Sequence, residues 1–163
     1  MIRYKQLITL KIIDKNTKET IGKIEDIILS DDYRKIKYLI IKNNNLIRNK
    51  ALIQYNDIRF SNKNQALYLN SIKAFKERLE SDIEDDNEGC KFIDKEIRTE
   101  NDECIGFVKD VVLNKKDGTV NGFIITEGLF EDLLKGRNYI PLLDNIDIKK
   151  AYIYVPNSNL ILN

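Results

Sequence analysis

One segment of the chain occurs twice. Glu19-Thr20-Ile21-Gly22-Lys23-Ile24-Glu25-Asp26-Ile27-Ile28-Leu29 returns 84 positions later as Glu103-Cys104-Ile105-Gly106-Phe107-Val108-Lys109-Asp110-Val111-Val112-Leu113. Glu, Ile, Gly, Asp and Leu coincide, and most other differences exchange one β-branched residue for another. The same offset lays Ile36-Lys37-Tyr38-Leu39-Ile40-Ile41 over Val120-Asn121-Gly122-Phe123-Ile124-Ile125. Further on the offset grows, which gives the second copy a longer loop, and Ile53-Gln54-Tyr55-Asn56-Asp57-Ile58 meets Ile140-Pro141-Leu142-Leu143-Asp144-Asn145-Ile146. A self-similar chain is built from one repeated structural unit. The 163 residues therefore divide into two small units of about 70 residues each.

Each unit reads as β-structure. Ile8, Leu10 and Ile12 alternate with Thr9 and Lys11, the period of a half-buried strand. The polar turn at Asp14-Lys15-Asn16-Thr17-Lys18-Glu19 leads into the Gly22 strand. Asp117-Gly118 is a hairpin signal because it supports positive φ. The copies close on Ala66-Leu67-Tyr68-Leu69 and Tyr152-Ile153-Tyr154-Val155. Short strands at this spacing predict a small closed barrel, which removes exposed sheet edges. Between the copies, Ile72, Phe75, Leu79 and Ile83 fall on one helical face, with Ser71 as an N-cap. The acidic run Glu84-Asp85-Asp86-Asn87-Glu88 follows. The expected organisation is a mainly β chain: a first barrel over 1–70, a helical and acidic linker over 71–89, and a second barrel over 90–163.

The order of an opening strand, a polar turn, Ile21-Gly22-Lys23-Ile24-Glu25-Asp26-Ile27, a Tyr38-Leu39-Ile40-Ile41 strand and a final Ile140-Pro141-Leu142-Leu143-Asp144-Asn145-Ile146 resembles the PRC-barrel family. The resemblance covers both halves, apart from the linker. That family includes the cytoplasmic part of the photosynthetic reaction-centre H subunit and a domain of a ribosome maturation protein. The resemblance implies a binding role more than a reaction. The first copy departs from the pattern at Gln54, where the second has Pro141. Neither copy has the aromatic-acidic pair often found after that proline; Tyr55-Asn56 and Leu142-Leu143 stand there.

The chain has no histidine, which excludes Ser-His-Asp and Cys-His systems, His general bases and most zinc sites. No Gly-rich phosphate cradle precedes a helix. Cys90 and Cys104 are too far apart for a close-spaced metal pair. The acidic run at 84–88 lacks the spacing of a calcium loop. No catalytic residue, cofactor or metal is expected. Asp26 and Asp110 are the exception to a bland reading. Strict alternation puts them on the faces of Gly22, Ile24 and Ile28, and of Gly106, Val108 and Val112. A carboxylate on an apolar face must be paired, hydrogen-bonded or re-aimed by a bulge. Recurrence in both copies favours a structural motif of Gly22, Asp26, Gly106 and Asp110 over an acid or cation ligand.

Charge is unevenly spread. Residues 1–70 hold 14 Lys/Arg against 7 Asp/Glu, a net +7. Residues 71–89 carry −4 (3 against 7) and residues 90–163 carry −2 (10 against 12). The expected role is a non-enzymatic interaction or scaffold module that binds a protein partner. One alternative is an RNA- or ribosome-associated factor, with weak nucleic-acid binding through the basic first half. Another is a peripheral membrane adaptor. The first residues do not read as a signal peptide, and no apolar run nears the roughly 20 residues of a membrane span. A reducing cytoplasm is the expected compartment.

Overall fold

β-Branched residues at alternating positions make strands the economical state for this chain, because one face of each can then enter a core. The computed structural model describes residues 1–42, 50–61, 66–69, 75–77, 91–126 and 139–157. In chain order the elements are β1 (Ile2–Arg3), α1 (Tyr4–Leu7), β2 (Lys11–Asp14), β3 (Thr20–Leu29), β4 (Ile36–Lys42), β5 (Lys50–Gln54), a 3-10 turn (Tyr55–Asp57), β6 (Ile58–Phe60), β7 (Ala66–Leu69) and β8 (Phe75–Glu77). The second half supplies β9 (Glu96–Arg98), β10 (Cys104–Leu113), β11 (Val120–Ile125), β12 (Tyr139–Pro141), β13 (Asp147–Ile148) and β14 (Tyr152–Tyr154).

Two curled sheets result, each like a half-barrel. The first has the order β6-β7-β2-β3-β4-β5-β8, and the second β12-β11-β10-β9-β14-β13, with β1 added against β10. Read from opposite ends, the orders coincide strand for strand from β6 and β13 to β5 and β12. In both, the pairing of the opening and closing strands is parallel, β2 with β7 and β9 with β14. The register irregularities also recur. β3 shifts between Ile24 and Asp26 and again between Ile28 and Leu29; β10 shifts between Val108 and Asp110 and between Val112 and Leu113.

Three sequence expectations change. The opening strand does not begin at Ile8: Tyr4–Leu7 is one helical turn, and β2 starts only at Lys11. Leu7 and Leu10 are buried all the same, because Leu10 N–H donates to the Leu7 carbonyl and the turn keeps both in the core. Phe75–Glu77, expected within the linker helix, is a strand antiparallel to β5. The open edge of β5 offers backbone partners, whereas a short isolated helix has a costly nucleus. The rest of that helix and the acidic run lie outside the described residues. Finally, Ile2 and Arg3 pair with Leu113 and Val112, so the first residues of the chain join the second sheet.

One cluster of buried side chains runs through both halves. Ile12, Ile27, Leu39 and Ile53 from the first sheet belong to it with Phe92, Ile97, Val111 and Phe123 from the second. On the other face of the first sheet Ile28, Ile40 and Leu52 form a smaller buried cluster with Tyr38. Alternation along β4 and β5 accounts for this: Leu39 pairs with Ile53 on one face, Ile40 with Leu52 on the other.

Candidate functional site

The glycines of the repeated motif are set by close packing. A Cβ on Gly22 would lie 2.5 Å from the Lys42 carbonyl oxygen. Gly106 has φ +148°, and a Cβ there would lie 3.0 Å from the Thr126 carbonyl oxygen. Both sit where β2 or β9 crosses the start of the long strand, opposite Ile12 and Ile97.

The bulges decide where the two carboxylates point. Ile24 and Val108 are in the core, and so are Ile27 and Val111. The extra residues Glu25 and Lys109 break the alternation, and Asp26 and Asp110 leave the core face. Asp26 Oδ1 accepts from the Ile27 N–H at 2.7 Å and from the Tyr4 hydroxyl at 2.8 Å. Asp110 Oδ1 accepts from the Val111 N–H at 2.9 Å and from the Lys5 N–H at 3.1 Å. The carboxylates thus do the same thing twice within their own strands, and both also hold the N-terminal turn, which lies between the barrels.

A second junction joins equivalent turns. Lys35 and Thr119, 84 positions apart, form an antiparallel bridge. Ile36 N–H donates to the Gly118 carbonyl at 2.9 Å and Val120 N–H to the Arg34 carbonyl at 2.8 Å, the same bond exchanged between copies. Such reciprocity marks an isologous contact around a pseudo-two-fold axis. Side chains consolidate it. Tyr33 packs edge-on against Phe92, which packs against Phe123. Arg34 donates to the Leu143 and Ile146 carbonyls at 3.3 and 3.1 Å. Tyr55 lies against Gly118, φ +78°, and its hydroxyl donates to the Lys115 carbonyl at 3.1 Å. Burial, aided by the nearby Asp117 carboxylate, holds the Tyr55 hydroxyl firmly protonated.

The outer faces of the two sheets differ. In the first, the row Asp26-Ile40-Leu52 carries a buried leucine, 7% exposed. The equivalent row of the second is Asp110-Ile124-Tyr139, and Tyr139 is 39% exposed. Phe107, on the same face of β10, is 46% exposed. Sequence reading missed both aromatics: Phe107 lies between two register shifts of β10, and Tyr139 joins this face only through the pairing of β12 with β11. The lysines of the basic first half separate: Lys15 and Lys18 lie in the first turn and Lys35 at the junction, while Lys11, Lys23 and Lys42 share one cross-strand row.

Cys104 is half-buried, with its Sγ 3.7 Å from the Gly106 carbonyl oxygen. Its thiol titrates above the usual cysteine range, chiefly through burial and also through the Glu96 carboxylate. Cys90 lies outside the described residues. Among the described residues no group of three or more Cys, Asp and Glu is placed to hold a metal ion, and no helix is long and apolar enough to cross a membrane.

No curated protein matches the chain. The family model for the PRC-barrel domain matches it twice, over residues 1–76 and 84–161. Two curled sheets with one strand order, one set of bulges and a shared Gly and Asp motif are what a duplicated domain of this kind requires. The chain belongs to the PRC-barrel family, as a tandem pair of PRC-barrel domains.

Proposed function

We propose that this tandem pair is a non-enzymatic, cytoplasmic interaction module that binds a protein partner on the outer face of its second sheet. The observation that carries the reading is the exposure of Phe107 and Tyr139 on a face whose counterpart in the first sheet holds the buried Ile28, Ile40 and Leu52. Aromatic side chains with one face in water are enriched among the residues that dominate protein interfaces, since they bury much area at little entropic cost. Ile124 and Val112, both half-buried, extend the apolar surface beside them. Fold alone does not fix function, so the reading rests on this face.

The test is affinity capture from the native cell extract with and without nuclease, comparing the parent chain with a Phe107→Thr, Tyr139→Thr double variant. Threonine keeps strand propensity while removing the rings. The expected result is one stoichiometric protein that survives nuclease and is lost with the double variant. Capture of nuclease-sensitive ribosomal proteins alone, with no nuclease-resistant protein lost in the double variant, would overturn it in favour of an RNA-associated factor.

A further inference from the structure

β2, β3 and β4 bring three lysines directly opposite one another. Lys11 pairs in register with Lys23, and Lys23 with Lys42. β5 continues the register with Lys50 opposite Lys42. The residues beside the three, Ile12, Ile24 and Ile41, are buried in the core, so Lys11, Lys23 and Lys42 point to the opposite face, and all three are exposed. Among the described residues none of the three forms an ion pair. Neighbouring strands lie about 4.8 Å apart, so Lys11 to Lys42 spans about 10 Å.

Like charges directly opposite each other destabilise a sheet. The second barrel, with the same strands and bulges, avoids the arrangement. Its equivalent row holds Glu96 opposite Phe107, with Thr126 donating its N–H to the Phe107 carbonyl at 2.9 Å. The fold therefore does not require the lysines.

We infer that the Lys11-Lys23-Lys42 row is a binding site for the phosphodiester backbone of a single-stranded nucleic acid. Charge complementarity points to a polyanion, and the row's form to a strand-like one: cations in a line follow a chain of phosphates. A membrane surface fits less well, because interfacial binding needs exposed apolar groups beside the cations. The next positions along this face of β4 and β5 are Ile40 and Leu52, only 2% and 7% exposed. Lysines that contact phosphates alone read no sequence, so binding is non-specific. The site lies on the first barrel and is independent of the protein-binding face proposed for the second.

Fluorescence anisotropy with a labelled 20-nucleotide single-stranded RNA of mixed sequence, and with DNA of the same sequence, tests the inference. Three phosphate contacts on a single strand predict that affinity falls about 20-fold between 50 and 200 mM salt. A triple Lys11→Gln, Lys23→Gln, Lys42→Gln variant should bind at least about tenfold more weakly at 50 mM salt and lose most of the salt dependence. Lys23→Gln alone should have an intermediate effect, which keeps the test open if the triple variant folds poorly. A control triple of equal charge change, Lys109→Gln, Lys116→Gln and Lys150→Gln, should stay within twofold of the parent. Binding of RNA, DNA or both with this pattern supports the site. Equal losses in the two triples, no binding by the parent at 50 mM salt, or row-dependent sedimentation with phosphatidylserine-containing vesicles in place of nucleic acid would overturn it.

Discussion

Asp26 and Asp110 each answer two sets of donors, one in their own strand and one in the N-terminal turn. Truncation would leave those donors short of an acceptor, at a cost of about 1–3 kcal/mol per site. Asp26→Ala and Asp110→Ala should therefore lower the midpoint of urea unfolding, with the Asn variants closer to the parent because a carbonyl acceptor remains. Ala variants that melt with the parent would remove the structural role. A second prediction concerns acid. Asp117 titrates below the usual carboxylate range, chiefly because the Thr119 N–H bonds its charged form, and Asp32 does so through the Ser30 hydroxyl and the Arg34 N–H. Both lie in the turns that meet at the junction. A carboxylate whose pKa falls on folding contributes stability above its ordinary value and loses it as pH falls through its lowered one. Melting temperature should thus drop as pH falls below about 4, and a double Asp32→Asn, Asp117→Asn variant should show a shallower drop over that window. Parallel pH profiles would contradict this.

At the scale of elements, the duplicated β-topology was legible because two copies of one pattern constrain each other. The motif Gly22-Lys23-Ile24-Glu25-Asp26 placed β3, and its repeat placed β10. Less legible was anything decided by contacts between distant segments. The helical pattern at Ile72 and Phe75 gave way at Phe75–Glu77 to the unpaired edge of β5. Pro141 makes sense only with the sheets in view, since β12 ends the described order of its sheet, where proline is tolerated; Gln54 lies just past the three β5 residues that pair with β8. The lysine row was invisible for the same reason. Lys11, Lys23 and Lys42 are scattered in sequence, and only the register assembles them. That assembly predicts that Lys23→Gln, at the centre of the described row, raises the melting temperature, and does so more at low salt than at high salt. A lowered or unchanged value at low salt would show that the row is not under repulsion.

At the scale of the whole molecule, the two barrels are one body. Their cores merge, equivalent turns exchange hydrogen bonds, and Ile2 and Arg3 pair with β10 while Tyr4 reaches Asp26. This matters for function, since a rigid pair fixes the apolar face of the second sheet relative to the basic row of the first. Gly118 is the most sensitive point of the junction. A side chain there would be strained at φ +78° and would meet the Tyr55 ring at 2.9 Å. Gly118→Val should cost about 1–3 kcal/mol in backbone strain alone and destabilise both barrels together. The most direct measurement is urea unfolding followed at once by far-ultraviolet circular dichroism and by tyrosine fluorescence, for the parent and for Gly118→Val. A single coincident transition, with a slope suited to the whole chain and a lower midpoint in the variant, is the predicted result. Two separated transitions in the parent, or a variant in which only one half shifts, would contradict a jointly folded pair.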